Sequence, residues 1–301
     1  MTKSERFEGC IIGGAIGDAF GSGYENQFKE KEDVIYFYGK PEVKEPKWRI
    51  TDDTQLTLAT IETMTANEKL TPELLAKQFL KYYKQRKIRG IGASTLKALR
   101  ELEVGGHWSQ VGRRGEYAAG NGAAMRIAPI AFKENVTNLE IRDLCIITHN
   151  NDEAYIGAKS VIIAIREILN GNWIGETNLI ELIIEQIPDT RVRDRLIEIN
   201  GIKNLKEIGQ IGNSGYVVDS VPLAIAAANK VQEIGIEEMY LQLIEIGGDT
   251  DTNCSIAGQI AGTLIGINGM PKKLINNLKQ LNEYEWIETT INKLIKKENW
   301  V

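Results

Sequence analysis

Apolar residues recur at helical spacing along most of the chain. Phe7, Ile11, Ile12, Ala15, Ile16, Ala19 and Phe20 make the first such stripe. Leu56, Ala59 and Thr63 mark one side of a second helix that begins at Asp53. A third opens at Thr71-Pro72-Glu73, where an N-cap threonine, a proline in the first turn and an acid follow one another. Leu75, Phe79, Tyr82 and Tyr83 then share its face. Further helices are expected at 94–102, around Ile141, Leu144 and Cys145, and along Ala158, Val161, Ile162, Ile165 and Leu169. Residues 172–210 hold more helical pieces, and 218–231 make an apolar helix with Pro222 near its start. Ile256, Ala257, Ile260, Ala261, Leu264 and Ile265 repeat at the same spacing, as do Leu274, Leu278 and Leu281, and then Trp286, Ile287, Ile291, Leu294 and Ile295. Two stretches break the pattern. Residues 26–50 read as a loop, with 34–38 as a short strand or a buried lid segment. Residues 105–122 read as a long loop with six glycines, and a loop of that length within a compact fold is often functional. There is no internal repeat, no low-complexity linker and no sustained strand–helix alternation. The pattern predicts one largely α-helical domain over 1–301.

Glycine placement adds to this picture. Gly13, Gly14, Gly17 and Gly21 interrupt the first helix, and each costs about 1 kcal/mol relative to alanine. So many in one segment imply that another backbone or a ligand comes close. Gly258, Gly262 and Gly266, spaced four apart, give a late helix a face flat enough for very close packing.

Composition narrows the function class. With 301 residues, 43% of them hydrophobic, the chain can bury a large core. Lys and Arg total 36 against 41 Asp and Glu, and no basic tract occurs, so a small substrate is favoured over nucleic acid. The cysteines Cys10, Cys145 and Cys254 are scattered in apolar stretches, which reads as buried reduced thiols in a cytoplasmic protein. The N-terminal residues do not resemble a signal peptide. The longest weakly polar run, 254–267, is too short to span a bilayer and contains Gln259. Only His107 and His149 are histidines, so any metal site must be built mainly from oxygen ligands.

Oxygen ligands are concentrated at two places. Thr51-Asp52-Asp53-Thr54 precedes one apolar helix, and Asp249-Thr250-Asp251-Thr252 precedes another. Two readings compete. Acidic residues at helix starts accept hydrogen bonds from free backbone N–H groups, so these are two unrelated caps. Alternatively, four carboxylates and four hydroxyls form one cluster of hard ligands for Mg²⁺, Mn²⁺ or Ca²⁺. Helical residues two apart point about 200° away from each other, so Asp249 and Asp251 can share an ion only if Asp249 precedes the helix. Gly247-Gly248 suits such a turn. A third reading takes 241–246 as a strand feeding the nucleophile loop of a haloacid-dehalogenase-like phosphatase. Asn253 stands where that motif has Thr or Val, and no parallel-sheet alternation surrounds it.

The motifs taken together resemble the ADP-ribosylglycohydrolase family over residues 7–266. They are Gly13-Gly14-Ala15-Ile16-Gly17-Asp18-Ala19-Phe20-Gly21, Thr51-Asp52-Asp53-Thr54, Gly120-Asn121-Gly122-Ala123-Ala124-Met125-Arg126, Thr148-His149, Gly215-Tyr216-Val217-Val218-Asp219 and Gly247-Gly248-Asp249-Thr250-Asp251-Thr252, in the family's order. The resemblance implies an all-α orthogonal multi-helix bundle with two Mg²⁺ or Mn²⁺ ions and with ADP-ribose or an ADP-ribosylated protein as partner; a monomer is expected. It implies metal ligation by Thr51, Asp52 and Asp53 from one side and by Asp249, Asp251 and Thr252 from the other, with Asp251 the bridge. It implies catalysis by Glu25 with Asp52, Asp53 and Asp251. Substrate contacts fall to Gly120, Asn121, Gly122, Met125, His149, Gly215 and Tyr216. Gly21-Ser22-Gly23-Tyr24-Glu25 is similar to the serine-type members. The nitrogenase-regulating members carry an acid near Ile88-Arg89-Gly90-Ile91-Gly92, which is basic here, so an O-linked substrate is expected over an arginine-linked one. The alternatives are an arginine-specific hydrolase, a non-catalytic ADP-ribose-binding module and a metal phosphohydrolase.

Overall fold

The first helix, Lys3–Gly21, begins where Thr2 and Glu5 close a capping box, each side chain accepting from the other residue's backbone N–H. It is buried on nearly every side, because a second helix, Thr250–Ile265, lies directly against it. The glycines are the reason. A Cβ on Gly13 would stand 2.3 Å from the Gly258 carbonyl oxygen, and one on Gly262 would stand 2.1 Å from that of Gly9. The close approach expected of these glycines is therefore backbone against backbone. Tyr240 completes the crossing by donating its hydroxyl to the Gly13 carbonyl at 2.7 Å.

The computed structural model describes residues 1–25 and 47–300. The strand or lid expected at 34–38 lies outside the described residues. Around the central pair the chain wraps helices Asp52–Ala66, Pro72–Lys84, Asp152–Leu169, Val217–Asn229 and Tyr284–Glu298, all contributing to one hydrophobic cluster. The Thr71-Pro72 start acts as expected, with Thr71 accepting from the Leu74 N–H and proline in the first turn. Cys10, Cys145 and Cys254 are free and buried. Among the described residues no helix is long and apolar enough to cross a membrane. The fold is all-α, as the spacing predicts.

One expectation needs correction, and one competing reading falls. Residues 105–122 are not one long loop. They contain a helical turn at Trp108–Val111, a two-residue strand at Arg113–Arg114 and a 3₁₀ turn at Glu116–Ala118, and a further 3₁₀ segment starts at Asn121. Such pieces are too short to show a period. The strand pairs in parallel with His149–Asn150, with Arg113 opposite His149. Residues 241–246 are not a strand; they end the helix Ile236–Ile246. Its apolar positions Met239, Tyr240, Leu243 and Ile244 are buried at helical spacing, which removes the phosphatase-like loop.

Candidate active site

The two acidic motifs meet at the end of the central helix pair. Thr51 caps the helix Asp52–Ala66 in extended conformation, and its hydroxyl accepts from the Asp53 N–H. Asp249 sits just before the helix Thr250–Ile265 and outside helical geometry. Gly247 and Gly248 hold φ at +77° and +79°, a region L-residues avoid, and so turn the chain between the two helices. The Asp249 N–H donates to the Asn213 carbonyl at 3.0 Å. Asp249 and Asp251 therefore reach the same space, as the helix geometry requires.

The residues assemble into two overlapping groups. Asp18, Asp53 and Asp251 each offer an oxygen, all within 4.8 Å of one another. Glu25, Asp249 and Asp251 do the same. Asp251 belongs to both. The Thr252 hydroxyl donates to Asp53 Oδ2 at 3.2 Å and ties the two motifs together. A cavity of about 620 Å³ lies over them. It is lined by Glu25, Thr51, Asp52, Asp53, Asp249, Asp251 and Thr252, and also by Gly120, Asn121, Gly122, Met125, His149 and Gly215. Of the residues expected at the site, Tyr216 alone is displaced. It lines an adjoining cavity with Tyr117 and Arg191 that shares Gly120 and Gly215 with the first.

The glycine-rich segments are placed by backbone pairing. The Asn121 N–H donates to the Gly215 carbonyl, and the Val217 N–H to that of Ala119. Gln259 donates to the Met125 carbonyl at 2.7 Å, which moors the 3₁₀ segment Asn121–Arg126 to the central helix. Asn121 Nδ2 then donates to Asp249 Oδ2 at 2.6 Å, joining the small-residue loop to the carboxylates.

Asp18 was not among the expected site residues, although it is the most enclosed of these acids. Its carboxylate accepts from the backbone N–H groups of Thr51 and Thr54 and from both their hydroxyls. It thus fixes the turn that presents Asp52 and Asp53. The signal in the sequence is that Asp18 is the one charged residue between Gly9 and Tyr24.

Electrostatics explains what the cluster is able to hold. Burial and then the Asp251 carboxylate raise Asp18 to about 7. Burial and then Asp249 raise Asp251 to about 7. Asp52 and Asp53 are pushed well above the ordinary range by burial and by their acidic neighbours. Buried like charges disfavour joint ionisation unless protons or a cation compensate. The donors are hard oxygens, and Asp53 Oδ1 is buried with no hydrogen-bond partner. A divalent cation fits this set. The capping reading is not lost, since Thr51 still caps its helix, but two unrelated caps would not converge on one cavity.

Cation affinity should rise with pH. The folded values of Asp18 and Asp251 lie above those of free carboxylates, so below about 7 the cluster holds protons that a cation must displace. Above that pH Asp18 and Asp251 no longer hold theirs. Titration calorimetry with Mg²⁺ from about pH 6 to about pH 8 should show affinity rising with pH, by up to about tenfold per unit for each proton displaced. A flat profile would contradict this.

Residues 1–300 match the family described as ADP-ribosylglycohydrolase. The chain belongs to the ADP-ribosylglycohydrolase family. This ADP-ribosylglycohydrolase is 28% identical over 283 residues to the ADP-ribosylarginine hydrolase Tri1 of Pseudomonas putida, covering 91% of this chain and 74% of that one. It is 24% identical over 343 residues to the ADP-ribosylhydrolase ARH3 of Homo sapiens, covering 97% and 94%. A solved structure titled ADP-ribosylglycohydrolase-related protein complex superposes with a TM-score of 0.72 at 26% identity, covering 98% of this chain and 99% of that one. The ADP-ribosylglycohydrolase is thus an enzyme that hydrolyses ADP-ribose linkages, and the reading as a non-catalytic binding module gives way.

Proposed function

We propose that this single-domain enzyme is a metal-dependent ADP-ribosyl hydrolase acting on O-linked acceptors such as ADP-ribosylserine. The observation that carries the metal dependence is Asp251, shared by two carboxylate groups beneath one cavity. Arg49 and Arg89 line the same cavity. Two positive side chains in the cavity wall disfavour a guanidinium acceptor and leave a neutral hydroxyl acceptor unopposed. The name of the Pseudomonas putida relative supports the rival, arginine-linked reading.

The chain's own residues divide the work. Asn121, Gly120, Gly122, Met125, His149, Gly215 and Tyr216 hold the ADP-ribose, with the glycines allowing close backbone approach to the diphosphate. Thr51, Asp52, Asp53, Asp249, Asp251 and Thr252 would hold two Mg²⁺ or Mn²⁺ ions, which when bound supply Lewis acidity toward the ribose hydroxyls and lower the pKa of water. Glu25, within reach of Asp249 and Asp251, takes the proton of the attacking water. The bond between the anomeric carbon and the acceptor oxygen breaks, the water oxygen joins that carbon, and the proton passes to the departing acceptor.

The test is release of ADP-ribose from serine-linked, arginine-linked and other side-chain conjugates, with Mg²⁺ and with chelator. Release from the serine conjugate, lost in chelator, is expected. No release from any conjugate under Mg²⁺ or Mn²⁺ would sink the proposal, and preferential arginine release would move the acceptor to the rival. Glu25→Gln should lower kcat by a factor of about 10² to 10⁴ at Mg²⁺ concentrations that keep the cation bound. Full turnover in that variant would remove Glu25 from proton transfer.

A further inference from the structure

Arg126 is fully buried and, among the described residues, faces no carboxylate. Its guanidinium lies over the Phe79 ring at 4.7 Å. Nη2 donates to the Leu144 carbonyl at 3.2 Å and to the Thr148 hydroxyl at 2.9 Å. The Thr148 hydroxyl is also 2.9 Å from His149 Nδ1. Guanidinium has donors only, so the Thr148 oxygen must accept from it. Thr148 keeps its own hydroxyl hydrogen, and the acceptor within its reach among the described residues is Nδ1 of His149. Nδ1 is then the unprotonated nitrogen, and the ring proton sits on Nε2.

His149 lines the cavity, between Gly120 and Gly122, which line it too. It packs where a Cβ on Gly120 would stand 3.0 Å from Nε2, and one on Gly122 2.6 Å from Cε1. Glycine at both positions leaves the ring room to lie in the cavity wall.

We infer that Thr148, held by Arg126, is a positioning residue that locks His149 as the Nε2–H tautomer, a standing hydrogen-bond donor to an oxygen of the bound ADP-ribose. The identity of that ligand rests on the proposed function; the tautomer does not. The ring stays neutral throughout the working range. Burial, then the Arg126 and Arg113 charges that face it, push His149 down to about 3. His149 therefore holds substrate and does not exchange protons with it.

The chain has two histidines, and His107 is exposed, so ¹⁵N-histidine NMR resolves two imidazoles with His107→Gln giving the assignment. The expected spectrum of ligand-free protein shows His149 as Nε2–H and unchanged from about pH 5 to about pH 8. Thr148→Val removes the hydroxyl at equal shape and should give a mixed tautomer, with KM for conjugate and Kd for free ADP-ribose raised about tenfold and kcat nearly unchanged. Thr148→Ser should restore the single tautomer and the affinity. An Nδ1–H or titrating His149 in the wild type overturns the inference, as does a Thr148→Val protein with wild-type tautomer and affinity. If ADP-ribose fails to bind the wild type, the ligand assignment and the proposed function fall together, whatever the tautomer.

Discussion

Asp251→Ala should abolish turnover, by about a thousandfold or more, and remove measurable Mg²⁺ binding. Asp251 alone belongs to both groups of carboxylates, those of Asp18 and Asp53 and those of Glu25 and Asp249. Its loss leaves each group short of an oxygen, so neither keeps a full ligand set. Withdrawing several kcal/mol of metal-derived transition-state stabilisation corresponds to that factor in rate. The same substitution should not destabilise the metal-free protein. The Asp251 charge raises its neighbours Asp18, Asp52 and Asp53, so removing it relieves buried like-charge repulsion. The measurements are turnover and calorimetry in Mg²⁺, and Tm in chelator. Retained activity would refute the shared role. A lower Tm in chelator would mean that Asp251 is structural first.

Gly13→Ala should destabilise the protein by about 3 kcal/mol or more and lower Tm by about 5 °C or more. The added methyl would stand 2.3 Å from the Gly258 carbonyl oxygen and 3.3 Å from the Gly262 Cα. Both are backbone atoms of a buried helix, so no rotamer change relieves the clash, and the helices must separate. Further along the same crossing, Cβ atoms on Gly17 and Gly21 would meet the backbone of Cys254 and Thr250. Thr250 itself donates to the Gly21 carbonyl at 2.9 Å. The crossing therefore sets the separation of Asp18 from Asp251, and turnover should fall with stability. Gly92→Ala is the control for stability. A Cβ there meets nothing within 4 Å, and φ is −64°, so its cost should stay under about 1 kcal/mol. Equal thermal stability of Gly13→Ala and wild type would show that the crossing yields without cost.

Much of the helical framework was readable in the sequence because its causes are local. Thr71-Pro72 starts a helix through bonds and sterics among its own next few residues. The stripe from Ala158 to Leu169 records one buried face of the helix Asp152–Leu169. Residues 105–122 were unreadable for the converse reason. Their turns and two-residue strand exist because Arg113 donates to the Thr148 carbonyl and because Asn121 and Val217 pair across to Gly215 and Ala119. Nothing within the segment encodes those partners.

The site divides along the same line. The residue types were determined by the sequence alone: two acidic motifs, almost no histidine, and glycines where backbone had to come close. Which carboxylates come within reach of one another was decided only by the tertiary structure. Asp18 reaches Thr51 across 33 residues, and Thr252 reaches Asp53 across 199. Those distances close because Gly13 and Gly17 let two helices touch at their backbones. Asp18 thereby becomes the anchor of the turn at Thr51, and Asp251 the oxygen common to both groups. Local propensity sets what each segment can offer, and the packing of glycine against backbone sets which of those offerings meet.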